Sequence, residues 1–122
     1  MKRFDRLTLL LATGLALTVA SGLLSAAEVE VGIVDSRFDP PSVRVVAGDT
    51  VRWLNKEKRN NHSVLFHGEN LESERMFPGE SWSRRFDAPG TYPYSCGPHP
   101  EMHGEVVVVP VAAGSEQVKP AQ

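Results

Sequence analysis

The chain holds a single cysteine among 122 residues, so it can neither close an internal disulfide nor supply the paired cysteines of a structural zinc motif. It also lacks a Gly-rich phosphate loop, an internal repeat and any stretch with a helical stripe of apolar residues. Basic residues do not predominate, with 13 Lys and Arg against 15 Asp and Glu; without a basic face, nucleic acid is excluded as a partner. Four histidines are too few for a His-rich multinuclear metal cluster. What is left is one small, non-repetitive globular domain, 41% hydrophobic and 23% charged.

Lys2, Arg3 and Arg6 form a basic start, residues 7–20 an apolar run, and Ser25-Ala26-Ala27 a small-residue end. This is the layout of a secretory signal peptide. The apolar run is shorter than the ~20 residues a spanning helix needs, so cleavage after Ala27 is favoured over retention as an anchor. The expected division is a signal peptide over 1–27, a folded domain over 28–111 and a small, polar tail over 112–122. Cleavage implies a periplasmic protein with no stable membrane association. Losing Lys2, Arg3, Arg6 and Asp5 leaves 10 basic against 14 acidic residues.

Within the domain, apolar and β-branched segments recur at 29–34, 43–46, 50–54, 62–66, 81–86, 91–94 and 105–109. Asp39-Pro40-Pro41, Gly48-Asp49, Pro78-Gly79 and Pro89-Gly90 punctuate them with residues that fix or release φ. Such spacing predicts an all-β sandwich or barrel. Residues 106–109 are apolar at both parities, as in a strand covered on both faces. Arg84 shares parity with Trp82 and Phe86, which suggests a buried stem with its head in water. The charges at Lys56-Glu57-Lys58-Arg59 and at Glu69, Glu72 and Glu74 are expected on solvated loops. Trp53, Trp82 and Phe86 are expected in the core, along with at least one of Tyr92 and Tyr94.

The chemistry concentrates in Tyr92-Pro93-Tyr94-Ser95-Cys96-Gly97-Pro98-His99-Pro100-Glu101-Met102. A thiol, an imidazole and a thioether follow one another at three-residue intervals, and His62 lies upstream. Thiolate and thioether are soft donors for Cu(I), imidazole serves either oxidation state, and a His2Cys site with a weak axial Met is the blue-copper arrangement. The three downstream donors can wrap one ion only on a tight loop, and Pro98 and Pro100 keep that segment from continuing a strand ladder. A Cys96–His99 nucleophile and base pair would lack a third orienting group, so an enzyme is not expected. A structural zinc site would waste the thioether. His67 and His103 are expected at the surface. An electron shuttle cycling one copper ion between Cu(I) and Cu(II) and a copper delivery or storage protein would use the same donors, the shuttle being favoured.

Phe38-Asp39-Pro40-Pro41-Ser42-Val43-Arg44-Val45, then Ala47-Gly48-Asp49-Thr50-Val51-Arg52-Trp53-Leu54-Asn55, then His62, then residues 90–99 resemble the cupredoxins of the plastocyanin/amicyanin family. The two-residue spacing between His99 and Met102 is most similar to the amicyanin type. The resemblance spans nearly all of 31–109. It implies a Greek-key β-sandwich of seven or eight strands, with one type 1 copper ion held equatorially by His62, Cys96 and His99 and axially by Met102. It further implies a monomer that meets transient redox partners, with a donor and an acceptor such as a c-type cytochrome or a dehydrogenase. Electrons would pass through the His99 ring, in a patch expected to hold Pro98, Pro100, Met76 and Phe77. Three positions depart from the family pattern. Ser63 replaces the usual Asn and Gly97 the usual Ser or Thr, two side chains that link the ligand loops, so a loosened site and a shifted potential are expected, although the Ser63 N–H can still donate to the Cys96 sulfur. Glu101 replaces an aromatic residue and puts a charge in the docking patch, which argues against inheriting an amine dehydrogenase as partner.

Overall fold

A computed structural model describes residues 14–16 and 26–111. Apart from 14–16 and 26–27, the expected signal peptide lies outside the described residues, as does the 112–122 tail. Among the described residues, nine strands form two sheets: β1 (Glu28–Val34), β2 (Arg37–Asp39), β3 (Ser42–Val46), β4 (Thr50–Asn55), β5 (Leu65–Phe66), β6 (Leu71–Glu72), β7 (Ser81–Arg85), β8 (Gly90–Ser95) and β9 (His103–Val109). One sheet runs β2-β1-β4-β7 and the other β3-β9-β8-β5-β6. The pairs β1–β4 and β3–β9 are parallel and the rest antiparallel. The all-β sandwich is as expected. Among the described residues, no helix is long and apolar enough to cross a membrane.

Alternation builds the core. In β4, Val51, Trp53 and Asn55 turn inward while Thr50, Arg52 and Leu54 stay half-exposed, and in β3 Val43 and Val45 are the buried pair. Trp53 is fully buried. Its ring meets Tyr94 edge-on at 5.3 Å and Phe66 edge-on at 6.0 Å, and lies 5.5 Å from Trp82, geometries that stabilise aromatic clusters beyond the area they bury. Tyr94 is the core tyrosine. Tyr92 is half-buried and its hydroxyl donates to the Ala88 carbonyl at 2.6 Å.

Several local expectations are corrected. The segment 62–66 is strand only at Leu65–Phe66; His62 instead makes an isolated bridge with Met76. Two short strands were not visible in the sequence. Asp35 and Ser36 both adopt positive φ, 50° and 55°, which reverses the chain in two residues and pairs Val34 with Arg37. No glycine marks that turn. Asn70 at φ 52° turns β6 back onto β5 after a single 3-10 turn at His67–Glu69. Val106 and Val108 are buried, but Val107 and Val109 only partly so, so β9 sits between β3 and β8 with one face on the core and the other incompletely covered.

Arg84 does not put its head in water. Its guanidinium lies 4.5 Å from the Phe66 ring centroid and 4.6 Å from that of Phe86, and it pairs with Glu69 at 2.7 Å. Strand parity with Trp82 and Phe86 is therefore real: the charge is held on aromatic faces and neutralised by Glu69, which is not a free loop charge.

Candidate metal centre

The upstream half of the site is organised by Asn55 at the end of β4. Its buried amide donates to the Asn60 carbonyl at 2.9 Å and to the Met76 carbonyl at 3.0 Å, and its Oδ1 accepts the Glu57 N–H at 3.0 Å. One side chain thus folds the 56–61 loop and ties it to the Met76 segment, satisfying backbone groups that burial would otherwise orphan. His62 follows, fully buried, and exchanges backbone hydrogen bonds with Met76 at 3.1 and 2.8 Å. Its Nε2 lies 2.8 Å from Glu57 Oε1 but off the line of the ring N–H, so the Glu57 carboxylate sits beside the ring without being an aligned acceptor. Nδ1 faces the other way, into the site.

The downstream half is the loop joining β8 to β9. The Cys96 N–H donates to the Met102 carbonyl at 3.1 Å and the Met102 N–H to the His99 carbonyl at 2.9 Å, so the loop closes on itself at Met102. Cys96 and Met102 are buried and His99 is partly exposed. His62 Nδ1 and His99 Nδ1 each lie 3.6 Å from Cys96 Sγ, and the three donors fall within 4.8 Å of one another. Bonds of about 2.0–2.1 Å to nitrogen and about 2.3 Å to sulfur, meeting near a tetrahedral angle, span roughly 3.6 Å between N and S. The donors therefore fit a single first-row metal ion.

Burial sets the protonation of the metal-free cluster. Burial pushes the Cys96 thiol up, against the Ser63 N–H that donates to its sulfur at 3.4 Å. Burial likewise holds the His62 imidazole below its ordinary value, against the pull of Glu57. The metal-free pair is thus a neutral thiol and a neutral imidazole at pH 7.

The four candidate ligands named by the sequence lie on the segments that converge here, with the two imidazoles on the cysteine sulfur and Met102 closing the loop. His67 and His103 are exposed and stand outside the cluster; His67 Nε2 instead meets Ser95 Oγ at 2.7 Å. Of the expected patch, Phe77 is 52% exposed and Pro98 and Pro100 flank His99 at the surface, but Met76 is buried because its bridge to His62 carries it inside. Asn55, Glu57 and Glu72 escaped sequence reasoning. Glu57 and Glu72 stand in charged, irregular segments whose composition reads as solvated loop, and only the position of Glu57 in the loop leading to His62 sets it apart.

The expected loss of the link between the ligand loops is also corrected. Ser63 Oγ accepts the Gly97 N–H at 3.0 Å and donates to Glu72 Oε1 at 2.8 Å. The two loops are joined, by different atoms from those the sequence pattern suggested.

A family model described as copper binding proteins, plastocyanin/azurin family, matches residues 25–109. Amicyanin-alpha of Methylorubrum extorquens is 38% identical over 101 residues, covering 74% of this chain and 84% of that protein. The amicyanin of Paracoccus denitrificans is 38% identical over 82 residues, 64% of this chain and 63% of that protein. Among solved structures, a Cu(I) form of an amicyanin variant superposes with a TM-score of 0.64 at 36% identity, covering 67% of this chain and 82% of that one.

Proposed function

The chain belongs to the plastocyanin/azurin family of copper-binding proteins, and from that premise we propose that it is an exported, mononuclear type 1 copper protein carrying single electrons between redox partners. In this reading His62 and His99, through Nδ1, and Cys96, through Sγ, would hold the ion, with the Met102 thioether as the fourth donor. Bound copper would supply the one-electron Cu(I)/Cu(II) couple. The observation that carries the reading is the pair of equal 3.6 Å approaches of two imidazoles to one sulfur, set by hydrogen bonds that belong to the protein.

Each residue then has a defined task. Asn55 and the Met76 bridge fix the His62 loop, Glu57 sets a carboxylate against the far side of the His62 ring, and the Ser63 N–H stabilises a thiolate at Cys96. A cage held in this way changes little when the charge at its centre changes, and small rearrangement favours rapid electron exchange. The partly exposed His99 ring, between Pro98 and Pro100, is the proposed exit to transient partners such as a c-type cytochrome or a dehydrogenase, with exposed Phe77, next to the Met76 that bridges His62, proposed for the same patch. The exported chain acts as a periplasmic monomer and catalyses no reaction of its own.

The test is the visible spectrum of the Cu(II)-loaded protein, titrated with ascorbate and then ferricyanide. An intense thiolate-to-copper band that bleaches and returns is expected. A colourless protein that reduces Cu(II) and retains Cu(I) would replace this reading with copper delivery or storage.

A further inference from the structure

Position 97 has no side chain, and the space a side chain would take is filled from another strand. A Cβ built on Gly97 would fall on Glu72 Oε1 and lie 2.7 Å from Ser63 Oγ. Glu72 belongs to β6, the edge strand of its sheet, paired with β5 at Leu65, and from there its carboxylate reaches over the start of the 96–102 loop. The hydrogen bonds form a directed chain. The Ser63 hydroxyl gives its only hydrogen to Glu72 Oε1, which leaves the hydroxyl oxygen free to accept the Gly97 N–H. The neighbouring Ser63 N–H points at the Cys96 sulfur. The carboxylate therefore decides which way the hydroxyl faces, and the hydroxyl ties the residue after His62 to the residue after Cys96.

We infer that Glu72 is a positioning residue of the metal centre, acting through Ser63 to hold the His62 and Cys96 segments in register, and that Glu72 and Gly97 form a matched pair in which the glycine exists to admit the carboxylate. The inference rests on the copper reading for its effect on the metal, but the bridge itself belongs to the protein and is measurable without copper.

Two measurements on Glu72→Ala, Ser63→Ala and the double variant test it. In the copper-free full chain, amide hydrogen exchange at Gly97 should accelerate about tenfold or more in Glu72→Ala, because its acceptor is no longer held, while amides of β3 and β9 stay unchanged. In the Cu(II)-loaded protein, loss of copper to a chelator should accelerate about tenfold or more, with a shift in the thiolate-to-copper band. Glu72→Gln keeps an acceptor oxygen and should recover most of both effects. Adding Glu72→Ala to Ser63→Ala should change neither readout further. Gly97→Ser should reproduce the Glu72→Ala behaviour by expelling the carboxylate. Gly97 exchange at the wild-type rate in Glu72→Ala, or a Glu72→Ala effect that persists in full on the Ser63→Ala background, would overturn the inference. A wild-type protein with no thiolate-to-copper band would instead overturn the copper reading, and the exchange measurement would still decide on the bridge.

Discussion

Tyr94 turns the packing behind the metal centre into a measurable dependence on alkaline pH. Its hydroxyl is buried without an aligned partner, its ring packs on Phe38 at 4.8 Å and on Trp53 at 5.3 Å, and burial pushes its pKa from 10.0 up to about 12. The unfolded chain, with an ordinary tyrosine, gives up that proton near pH 10 while the folded chain keeps it. Above pH 10 the unfolded state binds fewer protons, so stability falls with rising pH. At 1.36 kcal/mol per pH unit, the loss from this one residue levels off at about 2.7 kcal/mol above both pKa values, about 1.9 kcal/mol of it between pH 10 and 12, and none of it is felt at pH 7. Urea unfolding of the copper-free protein at pH 8, about 10 and about 11.5, followed by Trp fluorescence, measures it. Tyr94→Phe removes the titrating group, so the wild type should lose stability relative to this variant only above pH 10. A difference between the two that stays constant from pH 8 to 11.5 would refute the reasoning, because Cys96 and all other groups titrate alike in both proteins.

Four further predictions concern the site and its surroundings. Loading Cu(II) at pH 7 in weak buffer should release about one proton per ion, because burial keeps the Cys96 thiol protonated and the His62 imidazole neutral beforehand; uptake without proton release would show that the thiolate already exists. Phe77→Ala should slow electron exchange with a partner and leave the visible spectrum intact, whereas Met76→Ala, at a buried position, should cost about 2–5 kcal/mol of stability by urea titration. Gly104→Ala would place a methyl on the Tyr94 ring, opposite which Gly104 sits in the β8–β9 register, and should cost about 1–3 kcal/mol; a neutral outcome would mean that the ring has room to move.

The candidate ligands were legible because their chemistry is written locally. Cys96, His99 and Met102 lie close together on a segment that two prolines keep out of a strand ladder, and an upstream histidine is all that remains to be found. The strands were legible wherever alternation is clean, as in Thr50–Asn55. The groups that hold the ligands were not, because each works on two segments at once, one of them distant in the chain. Asn55 works on Asn60 and Met76, and Glu72 on Ser63 and Gly97. In sequence these residues are a strand end and a charge in an irregular segment. Arg84 was misread for a related reason: its place on the aromatic side is a matter of ring faces and of Glu69, neither of which a pattern of polar and apolar letters records. Met76 was misplaced because nothing in an apolar pair such as Met76-Phe77 says which of the two is drawn inward, and the bridge to His62 decides it.

The two halves of the site are fastened unequally. Cys96, His99 and Met102 sit on a loop between β8 and β9, which pair along their length from Gly90 with Val108 to Ser95 with His103. β5, which follows His62, pairs with β8 only where Leu65 faces Ser95, and the remaining ties across this seam are the side-chain and sulfur hydrogen bonds of Ser63 with Gly97 and Cys96 and of His67 with Ser95. Local opening at this seam would swing His62 away and leave a thiolate, a thioether and one imidazole together on a hairpin. That remnant is a soft donor set, better matched to Cu(I) than to Cu(II). A molecule that breathes there would let go of its metal chiefly while oxidised, so the shelf life of the loaded protein would depend on how much of its time it spends reduced.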